Sequence, residues 1–206
     1  MQTKYVNLPF MLRILYIVTL TLFLIFTQIP PVTGKSAEGI PVTSDKTGIT
    51  ILEDRKYFEV LLKRIDDADK DIIISMYIFK TTGKKVNSAI KVRDALINAS
   101  GRGVVIKVLL EREDEKGSSL NYENEYTAKK LVNGGAAVYF ESPGKRTHVK
   151  AVVIDGKYAF IGSHNLTASA LQHNNELSLM IDSEEIAGEI ASYIEELLKK
   201  SDNWKR

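Results

Sequence analysis

Residues 148–165 read HVKAVVIDGKYAFIGSHN. The run HVKAVVI is β-branched and alternating, Asp155-Gly156 is a pair that tolerates the positive φ of a tight turn, and KYAFIG has the character of a returning strand. The stretch predicts a β-hairpin with a two-residue turn, in which Ile154 pairs with Lys157 and, counting back along the ladder, His148 lies opposite Ser163. Side chains alternate with period two, so His148 and Lys150 share one face with Ser163 and Asn165, while Val149, Ala151 and Val153 point to the other as core. An imidazole, a fixed positive charge, a hydroxyl and a carboxamide on one surface suit the binding of a phosphate and attack on it.

The spacing of these residues is H-x-K, four residues, D, six residues, G-S-x-N, with every position filled. It resembles the HKD signature of the phospholipase D superfamily, and the small bacterial Nuc-type endonucleases in particular. Glu176, in the following segment NNELSLMID, falls where such members place a carboxylate on the histidine. The resemblance runs in element order from about Thr47 to the C-terminus. It implies an α/β fold: a phospholipase D-like sandwich with a mixed central sheet flanked by helices, in a single domain.

The rest of the chain reads consistently with that. Tyr57, Phe58, Leu61, Leu62, Ile65 and Ala68 recur at helical spacing, and DIIISMYIF follows as a short apolar strand. Val86, Ala89, Ile90, Leu96 and Ile97 mark a second helix that ends at Gly101-Arg102-Gly103, and VVIKVLL is the next strand. Glu111 to Glu123 reads as a polar loop. A short third helix through Tyr126, Leu131 and Val132 stops at Gly134-Gly135, AAVYFE is a strand, and SPGKRT leads into the hairpin, with Lys145 and Arg146 as further phosphate-binding candidates. LTASALQHN is a connector, NNELSLMID a strand, and Ile186, Ile190, Tyr193, Ile194, Leu197 and Leu198 line a closing helix.

The 206 residues, 44% hydrophobic, fit one modest domain with a real core. There are no cysteines, which excludes disulfides, thiolate metal sites and a catalytic thiol. The first 34 residues are separate: Lys4 and Arg13 flank an apolar run, ILYIVTLTLFLIF, that ends before Pro30-Pro31, the layout of a signal peptide, with an uncleaved membrane anchor as the alternative. Residues 35–47 read as a linker and 48–206 as the phosphodiesterase domain. Removing residues 1–34 takes away Lys4 and Arg13 and no acids, so the overall charge of +2 falls to zero and says nothing for nucleic acid.

A phosphodiester resists attack because its oxygens are negative and its leaving alkoxide is poor. In the reading that follows from these residues, His148 attacks to give a phosphohistidine, Lys150 neutralises charge, Ser163 and Asn165 donate hydrogen bonds to the phosphate, and Glu176 orients the imidazole. Asp155 lies at the turn, roughly 20 Å along the strand from His148, and is read as a folding residue. His164 and His173 are read as structural or solvated, and neither a metal nor a cofactor is invoked. An exported endonuclease acting on DNA or RNA is the favoured function, a phospholipase D acting on lipid head groups the alternative, and an inactive phosphate-binding module the third, disfavoured because no motif position is degraded. One motif copy in the chain implies a homodimer with a shared active site, as the resemblance does. Mass spectrometry of the cell-envelope fraction is expected to find a mature N-terminus near Lys35; an intact residue 1 would mean an anchor instead.

Overall fold

The structure is a computed structural model that describes residues 48–204 apart from Lys84, Lys116 and Pro143. The N-terminal apolar segment and the 35–47 linker lie outside the described residues. Among those described, the strands are β1 (Ile49–Glu53), β2 (Asp71–Met76), β3 (Val105–Leu110), β4 (Ala137–Phe140), β5 (Lys150–Ile154), β6 (Tyr158–Gly162), β7 (Leu177–Asp182) and β8 (Asp202–Asn203). The helices are α1 (Arg55–Asp66), α2 (Ser88–Gly101), α3 (Ser119–Asn133), α4 (Ala168–Gln172) and α5 (Glu184–Leu198).

All the strands join one mixed sheet in the order β1-β7-β6-β5-β2-β3-β4-β8. The pairs β2–β3 and β3–β4 are parallel and the others antiparallel. This is the α/β sandwich expected. Ile72, Ile74, Met76, Val108, Val152, Ile154 and Phe160 pack on one face beneath Tyr57, Leu61 and Ile65 of α1, Val92 and Leu96 of α2, and Leu131 of α3. Ile73, Leu109, Ala151, Val153, Ala159 and Ile181 pack on the other beneath Ala187, Ile194, Leu197 and Leu198 of α5. With both faces covered, a central strand has no polar side to show, which is why β2 is apolar without alternation.

Several boundaries differ from the sequence reading. The acidic stretch after β3 is not loop throughout: α3 starts at Ser119, with the Ser118 hydroxyl accepting the Asn121 N–H, and runs for 15 residues. The strands β1 and β8 were not foreseen, and a short helix, α4, interrupts the connector after Asn165.

The hairpin also differs, by one residue. Asp155 and Gly156 do adopt positive φ, 57° and 63°, but Ile154 pairs with Tyr158 and Lys157 is left out of the ladder. The Lys157 N–H donates to the Ile154 carbonyl, and the Lys157 carbonyl accepts from Ser183 N–H, 3.1 Å, ahead of α5. Its carbonyl is therefore engaged outside the hairpin. The shifted register removes the expected pairing of His148 with Ser163.

Asp155 sits at the end of the sheet remote from His148. Its carboxylate accepts backbone N–H groups of Asp69 (3.2 Å), Lys70 (2.7 Å) and Asp71 (3.3 Å), pinning the hairpin tip to the turn between α1 and β2. Replacing it by Ala strips these acceptors and leaves a non-glycine residue at positive φ without its compensation. Asp155→Ala is expected to lower unfolding free energy by about 1–3 kcal/mol, with Asp155→Asn losing less; urea melts of the two variants check this, and a wild-type midpoint for Asp155→Ala would contradict it.

Candidate functional site

Strand direction gathers the polar residues at one edge of the sheet. The strands β1, β2, β3, β4 and β6 end there, and β5 and β7 begin there. At that edge stand His148 and Lys150 at the start of β5, Ser163 to Asn165 after β6, Glu176 before β7, Asp54 after β1 and Tyr77 after β2. Clefts bordered by the carboxyl ends of strands are where open α/β sheets bind ligands.

The centre of the group is His148, which is exposed. Its Nε2 lies 3.4 Å from Lys150 Nζ, and Lys150 also donates to the His148 carbonyl at 3.0 Å. An ammonium has only donors, so where this contact is a hydrogen bond Nε2 is its acceptor. The ring of Tyr77 meets His148 edge-on, with centroids 4.7 Å apart, and Lys150 Nζ is 5.3 Å from the centre of the same tyrosine. Burial pushes the Lys150 pKa below its usual value, and the Glu176 charge opposes that shift. Tyr77 was not anticipated: in DIIISMYIF it looks like one more core aromatic, and only the strand's end places it against the motif.

Glu176 is placed differently from the expectation. Its carboxylate accepts from the Ser163 hydroxyl and from Asn174 Nδ2 at 3.0 Å, and its N–H donates to Asp54 Oδ1 at 2.8 Å. Here it holds Ser163, and not the imidazole of His148. Ser163 in turn accepts the Leu177 N–H at 3.1 Å, so its hydroxyl is engaged by β7. Asn165 is the reverse case: its Oδ1 is buried without a hydrogen-bond partner among the described residues. Lys145 and Arg146 are exposed; Arg146 lies 3.5 Å from Glu113, and both line a cleft of about 380 Å³ with Glu111 to Glu115 and Gly144.

Gly162 shows why a glycine precedes Ser163. A Cβ there would collide with the Cα and Oγ of Ser178; the absent side chain lets β6 lie against β7, and the ladder continues into Ser163, whose N–H donates to the Leu177 carbonyl at 3.1 Å. His164 turns inward, 1% exposed. Its ring stacks on Tyr57 at 4.2 Å, its Nε2–H donates to the Asp54 carbonyl at 3.0 Å, and its Nδ1 pairs with Ser178 Oγ at 2.7 Å. Asp54 holds this with a positive φ of 46°. His173 is exposed at the end of α4.

With this geometry in view, comparison with known proteins is direct. The family described as cardiolipin synthase, PLD-like domain, matches residues 61–198. The chain belongs to this family. Minor cardiolipin synthase ClsB of Bacillus subtilis (strain 168) is 31% identical over 114 residues, 53% of this chain and 27% of that protein. Cardiolipin synthase A of Yersinia pseudotuberculosis serotype O:1b is 26% identical over 107 residues, 52% of this chain and 22% of its own length. These matches thus span about a quarter of the length of the curated relatives. Among solved structures, Nuc from Salmonella typhimurium, a phospholipase D family member, superposes with a TM-score of 0.64 at 18% identity, covering 77% of this chain and 99% of that one. NucT from Helicobacter pylori gives 0.59 at 18% identity, covering 76% and 98%. The structural likenesses establish the PLD-like fold.

The inward histidine has a measurable signature. Burial holds the His164 pKa below its ordinary 6.5, against the pull of the Asp54 carbonyl and the Glu176 and Asp54 charges. A depressed folded-state value means that the folded chain favours the neutral ring, so the contribution is complete above pH 6.5 and is lost as pH falls through the folded value. Calorimetry is expected to show the wild-type melting temperature falling faster than that of His164→Gln on acidification below this point. Parallel curves would show that His164 does not carry the effect.

Proposed function

We propose that this chain is a phosphodiesterase that works through a phosphohistidine at His148, and that its substrate is nucleic acid. The observation that carries this reading is the 3.4 Å contact between Lys150 Nζ and His148 Nε2. It sets the imidazole beside a positive charge able to hold a non-bridging phosphate oxygen. Nε2 attacks phosphorus, the P–N bond forms as the bond to the leaving oxygen breaks, and that oxygen takes a proton. Water then attacks phosphorus and the P–N bond breaks, returning the imidazole. Asn165 donates to the phosphate through Nδ2. Glu176 acts on this centre by its charge on Lys150 and by fixing Ser163. Lys145 and Arg146, exposed just ahead of His148, suit the flanking phosphates of a polynucleotide. The N-terminal segment fits export, to the periplasm or beyond.

A second reading, phospholipid as substrate, has its own observation. Val149, Ala151 and Ile161 border an apolar groove of about 330 Å³ with Ile190, Tyr193 and Ile194 of α5, at the same end of the hairpin as His148. Such a groove is what an acyl chain requires, and the relatives' names concern a lipid. A substrate panel separates the two. The purified chain is expected to cleave single-stranded DNA, duplex DNA or RNA in preference to phosphatidylcholine or cardiolipin vesicles. His148→Ala is expected to abolish turnover with the melting temperature unchanged, and acid quench of wild type to leave phosphate on histidine. Cleavage of vesicles alone would transfer the assignment to lipid, and label on Ser163 would remove His148 from the nucleophile's role.

The leaving oxygen's proton calls for a second imidazole. Both ring nitrogens of His164 are occupied within the core, so it does not serve, and His173 lies exposed at the end of α4. A two-fold homodimer in which the two copies of His148 face each other meets the need. When wild-type and His148→Ala chains are refolded together, activity is expected to fall as the square of the wild-type fraction. A linear fall would mean independent monomer sites.

A further inference from the structure

The segment that delivers His148 has little of its own to hold it. It leaves β4, must pass the ends of β3 and β2 to reach β5, and residues 141–149 belong to no strand. Two carboxylates take the place of strand pairing. Glu111, the residue after β3, is 2% exposed and accepts the Thr147 N–H at 2.5 Å. Glu141, the residue after β4, is 5% exposed; it accepts the Thr147 hydroxyl, and the Ser142 N–H at 3.1 Å. Leu110 and Phe140 are partners on parallel strands, so the two glutamates emerge side by side. Their backbones are fixed in turn: Glu141 N–H donates to the Leu110 carbonyl at 2.9 Å, and the Glu111 carbonyl accepts Asn124 Nδ2 of α3 at 2.9 Å.

We propose that Glu111 and Glu141 are positioning residues for His148: together they grip Thr147 by its amide and its hydroxyl and so set where the neighbouring imidazole stands. This rests on the reading of His148 as the nucleophile. A pair of like charges out of water is a poor device for stability alone. Burial first, and the Glu141 charge with Glu113, push the Glu111 carboxyl above its ordinary value, while the Thr147 N–H and Arg146 pull it down. A raised folded-state value means that Glu111 favours folding at low pH and loses that contribution as pH rises through it.

The test uses the full chain with Glu111→Gln, Glu111→Leu and Thr147→Val, read by amide hydrogen exchange at Thr147, by melting temperature, and by kcat and KM on bis(p-nitrophenyl) phosphate. Glu111→Gln keeps a carbonyl acceptor and is expected to retain slow exchange and a kcat within about threefold of wild type, whereas Glu111→Leu frees the amide and loses kcat by roughly 30- to 100-fold at nearly constant KM. Glu111→Leu should melt no lower than wild type at pH 8. Thr147→Val, which removes only the hydroxyl, should lose kcat with KM held. Fast exchange in Glu111→Leu with wild-type kcat would overturn the proposal, as would a kcat loss that merely tracks unfolded protein. If wild type turns over no phosphodiester, the nucleophile reading fails instead. The exchange data then decide the grip by themselves: protection lost in Glu111→Leu upholds it, protection retained refutes it.

Discussion

Helices seal both faces of this sheet, and that constraint decides where polar chemistry can stand. The face under α1 to α4 and the face under α5 are each lined by aliphatic side chains from the same strands, so a charged group mid-strand needs a partner at hand, as Lys107 of β3 has in Glu195 of α5 at 2.6 Å. The strand ends are what remain. At one edge the chain collects His148, Lys150, Asn165, Glu176 and Tyr77; at the other it uses Asp155 to tie the hairpin tip to backbone amides. A single signature thus spans the sheet from edge to edge. Its first half stands at the edge that gathers the other polar residues, and its aspartate at the edge where it accepts backbone amides.

The glycine before Ser163 is explained by the same crowding. Because β6 and β7 approach too closely for a side chain at Gly162, only glycine fits there, and the next residues keep the strand's alternation. One turns into the core as His164, and its neighbours Ser163 and Asn165 remain at the edge. The stack of His164 on Tyr57, and its hydrogen bonds to Ser178 and Asp54, tie the end of β6 to α1, β7 and β1 at one point.

What the sequence made legible follows from range. His148, Lys150, Ser163 and Asn165 lie in or beside one hairpin, so their arrival at one edge of the sheet could be read from local spacing, and β2 announced itself by a largely apolar run that Ser75 interrupts. The register was not legible, because Asp155-Gly156 serves a two-residue or a three-residue loop equally well; the choice falls to a bond from Ser183, far along the chain. The Glu176 contact with Ser163, the edge-on Tyr77 and the grip on Thr147 depend on which strands are neighbours, and no local pattern encodes that order. The start of α3 was hidden for a related reason: Asn124 looks like a loop residue, yet it is buried and bridges the Phe79 N–H and the Tyr77 and Glu111 carbonyls.

The strand order also has a temporal side. At the sheet's middle, β2 pairs with β3, which follows soon after it, and with β5, whose Ile154 lies opposite Ile72. During synthesis the β5 side of β2 therefore stays open until the hairpin has emerged, long after its other side has been covered. An apolar strand with one unpaired edge is a template for association with other chains. Closure of that edge coincides with arrival of Asp155 at the turn before β2, so the residue that completes the ladder also ends the nascent chain's most adhesive interval.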